Sequence, residues 1–170
     1  AAIDTDAVTT SKIEALAVTR AKLAAVGQQV SSSSADFQTN SDTMTDVTNL
    51  TVSLTTTTTR PIVIACQQDG SASSAGFRVD SDAVTYSGWV GQVAVSGAET
   101  ATVGLFTGRT FARSVTTGDM IWPPSTMTYT YVPSATGTFT FKIQIRKESP
   151  VGTPSVYAHA VYMKLVAYQL

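Results

Sequence analysis

The polar and apolar positions of the chain follow two different periods, and the change between them falls near residue 30. From residue 50 the period is two. Leu50, Val52 and Leu54 alternate with Thr51 and Ser53, the pattern of a strand with one face in a core and the other in water. Ile62-Val63-Ile64-Ala65-Cys66 is a continuous apolar run, which predicts a strand buried on both faces. Further strands are predicted at 77–79, 83–86, 89–95, 101–107, 110–115 and 126–132, separated by Gly, Ser and Pro signals. The clearest strand holds Phe139, Phe141, Ile143 and Ile145 on one side against Thr138, Thr140, Lys142, Gln144 and Arg146 on the other. After Pro150, Gly152 and Pro154, residues 156–170 run without a turn signal, with Tyr157, His159, Val161, Met163 and Leu165 alternating with their neighbours. About nine or ten short strands at such spacing predict an antiparallel jelly-roll sandwich.

Before residue 28 the period is five. Ala7-Val8-Thr9-Thr10-Ser11-Lys12-Ile13 returns as Ala17-Val18-Thr19-Arg20-Ala21-Lys22-Leu23, and Ile3, Val8, Ile13, Val18 and Leu23 form a regular row. Five residues turn a helix by about 140° and flip a strand to its opposite face, so a repeated turn-containing unit is needed to keep the row on one side. Ser11 with Glu14 fits a capping box, Thr19 can cap a second short helical piece, and Gly27 can close it. One thin apolar row cannot bury itself, which predicts association with copies from other chains. Residues 28–34 end in four consecutive Ser, the composition of a flexible joint. The expected division is a shaft segment over 1–30 and a β-sandwich over 31–170. The repeat is already under way at Ala1-Ala2-Ile3, with no Met, and reads as a piece of something longer.

Composition narrows the function. Thr and Ser are abundant, whereas charged residues make up 14% and the net charge is −1. The balance of 11 basic and 12 acidic residues offers no footprint for nucleic acid or anionic lipid. No apolar run approaches the ~20 residues of a membrane helix. One cysteine, Cys66, removes disulfide frameworks and Cys-rich metal sites, and its apolar setting predicts an inert thiol. The one histidine, His159, sits in an alternating strand and reads as a core or interface side chain rather than a catalytic base. Asp80 and Asp82 read as turn residues, since a hard-cation loop needs a denser set of oxygen ligands. No phosphate loop, nucleophile elbow or metal-spacing motif is present, so the expectation is a protein without catalytic activity, metal or cofactor.

Binding fits better. Trp122, followed by Pro123-Pro124, and Tyr86, ahead of Ser87-Gly88-Trp89, offer aromatic faces in loops. Asp69, Arg78, Arg109 and Arg113 offer polar partners, a mixture suited to sugars. The competing expectation is that Trp89 and Trp122 both plug the core, because large aromatics dominate cores, and that Arg109 and Arg113, four residues apart on one strand face, are simply solvated.

The repeats running into Ala25-Val26-Gly27-Gln28-Gln29 resemble the shaft-to-tip junction of phage tail-fibre and related trimeric fibre proteins, including the mosaic adhesive trimers of predatory bacteria. Arg60-Pro61-Ile62-Val63-Ile64, Trp122-Pro123-Pro124-Ser125, Tyr131-Val132-Pro133, Gly137-Thr138-Phe139-Thr140-Phe141 and Lys164-Leu165-Val166-Ala167-Tyr168-Gln169-Leu170 are similar to the tips that follow such shafts. The resemblance implies a homotrimer, an extracellular tip of tumour-necrosis-factor or C1q-like jelly-roll shape, and recognition of a cell surface, often its glycans. In that trimer Ile3, Val8, Ile13, Val18, Leu23 and His159 would lie at the interface. The competing expectation is a purely structural cap that only locks the trimer.

Overall fold

The computed structural model describes residues 29–32, 37–68, 76–80, 86–111, 120–121, 127–148, 156–159 and 163–170. Every regular element among them is a strand: β1 (Gln29–Ser32), β2 (Phe37–Thr39), β3 (Thr45–Thr56), β4 (Ile62–Gln68), β5 (Gly76–Asp80), β6 (Tyr86–Gly97), β7 (Ala101–Phe111), β8 (Met120–Ile121), β9 (Met127–Tyr131), β10 (Gly137–Glu148), β11 (Val156–His159) and β12 (Met163–Gln169). They form three four-stranded sheets, ordered β1-β12-β4-β9, β3-β10-β6-β7 and β2-β11-β5-β8, with antiparallel pairing throughout. The expected helical turns of the first 27 residues lie outside the described residues, as do Ile3, Val8, Ile13, Val18 and Leu23.

The first two sheets share one core. Ile62, Ile64, Cys66, Met163, Leu165 and Ala167 on one sheet meet Leu50, Val52, Leu54, Phe139, Phe141, Ile143 and Ile145 on the other in a single buried cluster. Alternation creates this sandwich-like arrangement, because each strand can bury only every second residue. The aromatic part of the core is close-set, with Tyr131 edge-on to Phe139 and Phe141 at centroid distances of 6.0 and 6.1 Å. Outside, the β3-β10-β6-β7 sheet is polar. Ser53 bonds Thr140 and Thr55 bonds Thr138, each at 2.9 Å, while Asp46 accepts from Lys142 (2.8 Å) and Gln144 (2.6 Å), and Gln144 from Gln92 (2.7 Å).

Several predicted elements differ from those observed. Residues 29–32, expected within a flexible joint, pair with Lys164–Ala167, because the edge of β12 supplies backbone partners that Ser-rich composition does not reveal. The run 62–66 is buried on one face only: Ile62, Ile64 and Cys66 are fully inside, and Val63 and Ala65 are half-buried on the outside. The stretch 156–170 is not one strand, since β11 and β12 belong to different sheets. The predicted breaks inside 83–95 and 101–115 are absent over residues 86–97 and 101–111, which form the long strands β6 and β7.

Two irregularities keep long strands in phase. In β3, the register against β10 slips between Lys142 and Gln144, and Asn49 adopts a left-handed φ of 63°. Val47 and Leu50, three residues apart, are thereby both buried. In β7, Gly104 (φ +64°) makes a similar slip against β6, and a Cβ there would stand 2.9 Å from the Tyr129 ring. That missing methyl leaves room for Tyr129 of β9 to lie across to β7, from one sheet to the other.

Candidate functional site

The antiparallel registers give the sandwich two unlike ends. At one end Gln29 pairs with Ala167, Ile62 with Gln169 and Tyr131, Thr56 with Gly137, and Gly97 with Phe139. Here the connections are short, over residues 57–61, 98–100 and 132–136, and residues 1–28 enter. At the other end Ser32 pairs with Lys164, Gln68 with Met163, Thr45 with Ile145, Gly88 with Glu148, and Tyr86 with Phe111. Its connections are long: 33–44, 69–85, 112–126 and 149–162.

Each long connection donates one strand to the third sheet. β2, β11, β5 and β8 come from the connections that leave or reach β1, β12, β4 and β9, and they keep the same lateral order. The third sheet is therefore a cap built from all four long connections. Short strands from different connections hydrogen-bond to one another, so their backbone groups are satisfied without a helix or a deep core.

Apolar and polar contacts among the described residues hold the cap on the sandwich. Phe77 of β5 is fully buried, and its ring lies 4.8 Å from that of Trp89 in β6, tilted by 42°. Trp89 is 3% exposed, so the expected core position holds. Phe37 of β2 packs on the same core. Beside it, the Lys147 backbone N–H donates to the Ser41 carbonyl (3.0 Å), and its ammonium lies 3.5 Å from the Asp42 carboxylate. The hydroxyl of Ser41 accepts from the Thr43 N–H at 3.0 Å and fixes the turn after β2.

Those candidate binding residues that lie among the described residues fall at this capped end. Arg78 stands in β5 opposite Tyr157, and His159 ends β11 opposite Gly76, both within the cap. Tyr86 begins β6 opposite Phe111, and Arg109 in β7 is level with Gly88 and, one strand further, with Glu148. Asp69, Arg113 and Trp122 lie outside the described residues. His159, expected to share a strand with Met163 and Leu165, belongs instead to the cap sheet. Tyr157 and Glu148 were not singled out from the sequence, because only cross-strand register brings them level with Arg78 and Arg109.

The opposite end is locked by polar bonds. Tyr131 donates its phenol proton to the Glu99 carboxylate, which also accepts from the Ser134 N–H (2.7 Å) and hydroxyl (2.6 Å). Hydrogen bonds from the Ser134 hydroxyl, then from the Tyr131 phenol, hold the Glu99 carboxyl below the ordinary carboxylate range. Burial, reinforced by Glu99, pushes the phenol of Tyr131 up to about 12. Gln169, 3% exposed, donates to the carbonyls of Thr58 (2.9 Å) and Arg60 (3.1 Å) and closes the 57–61 turn. Cys66 is fully buried, and desolvation pushes its thiol up to about 12, which leaves no nucleophile there near neutral pH.

No protein-family model matches the chain, and no curated protein matches it. Among solved structures, similarity is found to infectious bursal disease virus of the Gt strain, at 12% identity and a TM-score of 0.38, covering 85% of this chain and 37% of that one. The Gx strain gives 10% identity and a TM-score of 0.34, and the VP2 subviral particle of the same virus 12% and 0.35, each with the same coverage of 85% and 37%. The chain thus spans little more than a third of the length of these viral chains.

Proposed function

We propose that this chain is the receptor-binding tip of an extracellular homotrimeric fibre of a virion tail or bacterial surface, without catalytic activity or cofactor, and that its capped end recognises a cell-surface glycan. The observation that carries the reading is the gathering of all four long connections at the end opposite the one where residues 1–28 enter. A fibre that presents its sandwich this way exposes the long loops to its target and keeps the short, hydrogen-bonded turns toward its shaft. The strand orders β1-β12-β4-β9 and β3-β10-β6-β7 support a jelly roll of tumour-necrosis-factor or C1q-like type. A mixture of aromatic and charged side chains drawn from Tyr86, Arg78, Arg109, Asp69, Arg113 and Trp122 suits a sugar, which offers apolar ring faces and hydroxyls together. Three such ends related by threefold symmetry would convert a weak contact into firm attachment through avidity.

The test is a glycan array and a cell-pulldown with the full chain and its Arg109→Ala and Trp122→Ala variants. Attachment that is lost in either variant while oligomeric mass and melting stay unchanged supports recognition at this end. Failure of the full chain to bind any surface extract would favour the structural cap. New reducing ends released from capsule or lipopolysaccharide would instead indicate an enzyme.

A further inference from the structure

The register tells the two faces of the cap sheet apart. Ala158 of β11 is the partner of Phe37 in β2 and of Phe77 in β5. Phe77 is fully buried and Phe37 packs on the core, so this row of the cap faces the sandwich. Neighbouring rows of an antiparallel sheet alternate between its faces. The row of Gln38, Tyr157 and Arg78, one step along, therefore stands on the face turned away from the core, and Gln38 is exposed there. Asp80 and His159, two residues from Arg78 and Tyr157, stand on that same face. The register partner of His159 is Gly76, which brings no side chain to its place in β5. Three connections remote in sequence thus set an aromatic residue between an amide and a guanidinium, with a carboxylate and a vacant position beside them.

We infer that this outer face of the cap is the contact surface for one sugar unit, a neutral pyranose with adjacent hydroxyls. The inference rests on the glycan reading above and adds to it the face, the residues Gln38 and Tyr157, and the class of sugar. Adjacent strands lie ~4.8 Å apart, so a row across β2, β11 and β5 spans about 10 Å, the scale of a single ring with its substituents. The apolar C–H face of a pyranose rests on an aromatic ring such as that of Tyr157. The amide of Gln38, the guanidinium of Arg78 and the carboxylate of Asp80 are planar groups with paired donors or acceptors, each able to match two neighbouring hydroxyls at once. The vacant position at Gly76 leaves space for an exocyclic substituent beside His159. Charge selects the sugar: Arg78 and Asp80 cancel, so the face offers no excess positive charge to a uronic or sialic carboxylate. Phe77, between Gly76 and Arg78 in β5, anchors the strand from its inner side, and residues carried on a hydrogen-bonded sheet are held more precisely than residues on a loop.

The test is a printed array of neutral, uronic-acid-terminated and sialic-acid-terminated glycans, probed with the full chain and its Tyr157→Ala, Gln38→Ala and Thr140→Ala variants. Free neutral monosaccharides serve as competitors, and hydrogen exchange of Gly76–Asp80 and Val156–His159 follows the cap. The expected result is binding to neutral terminal sugars that the matching free monosaccharide displaces. It should weaken about 30-fold in Tyr157→Ala and about tenfold in Gln38→Ala at unchanged exchange, and stay unaltered in Thr140→Ala, on the outer face of the sandwich. Gln38 is exposed, so its truncation leaves the packing intact and decides the matter if Tyr157→Ala also loosens the cap. Full binding in Gln38→Ala, or loss confined to Arg109→Ala and Trp122→Ala, overturns this surface and leaves the glycan reading standing. Binding to acid-terminated glycans alone overturns the choice of sugar, and a chain that binds no glycan overturns both the surface and the reading it rests on.

Discussion

Truncating Phe77 to Ala should release the cap while leaving the sandwich folded. The Phe77 side chain is fully buried and contributes a tilted ring contact at 4.8 Å to Trp89. Removing a phenylalanine from a closed core costs about 3–5 kcal/mol through lost transfer energy and residual cavity. About 0.5–1.5 kcal/mol of that belongs to the aromatic pair. Phe77 joins the buried cluster of the two large sheets, but the other buried members of that cluster all lie in those two sheets, so the loss acts mainly on the free energy that holds β5 and β11 down. At ~1.4 kcal/mol per decade, the opening equilibrium should shift by roughly two to four orders of magnitude. The assay is native-state hydrogen exchange. Amides of Gly76–Asp80 and Val156–His159 should exchange faster by that factor, while those of β4, β10 and β12 keep their wild-type rates. Unchanged protection of β5 and β11, or a uniform loss across all strands, would refute the idea that the cap is a separately held unit pinned by Phe77. If the proposed function holds, the same variant should also lose attachment without losing its oligomeric mass.

Three further outcomes test the rest of the architecture. Gly97→Ala places a Cβ 2.3 Å from the Thr138 carbonyl oxygen at a φ of +101°, in the turn where Ala98 donates to that same oxygen at 2.9 Å. A cost of about 3 kcal/mol follows from the backbone strain and displaced turn, seen as a melting temperature lower by roughly 6–12 °C; an unchanged melt would contradict the contact. Thr56→Val should raise the melting temperature by roughly 2–4 °C, because the Thr56 hydroxyl is buried without a hydrogen-bond partner and its removal relieves about 1 kcal/mol. The Glu99–Tyr131 pair predicts a two-sided pH dependence. The lowered carboxyl of Glu99 stabilises the fold above the ordinary carboxylate range, and this is lost as pH falls through its folded value. The raised phenol stabilises it below about pH 10, and this is lost as pH climbs toward about 12. The melting difference between wild type and Glu99→Gln should therefore shrink at both extremes, and a difference constant over the whole range would argue against the lock.

The amino-acid pattern alone was enough to show that this chain is β-structured, and which side of the strands at 50–54 and 139–145 is buried. The alternations at 50–54 and 139–145 translate directly into core positions because a strand's side chains have a fixed period of two. It also determined that Trp89 and Cys66 are interior, since their apolar neighbours leave them no other place. Pairing was beyond its reach. Ser-rich residues 29–32 became a strand through the open edge of β12, and 156–170 divided between two sheets because the cap and the sandwich each needed a strand at that point. Neither fact is written in local propensity, which carries no information about partners distant in the chain. The same holds for the candidate site. Residue types picked out Arg78, Tyr86, Arg109 and His159 one at a time, but only the antiparallel register gathered them at one end. Period is a property of the backbone alone, whereas register and sheet order are fixed by which strands can bury each other's faces.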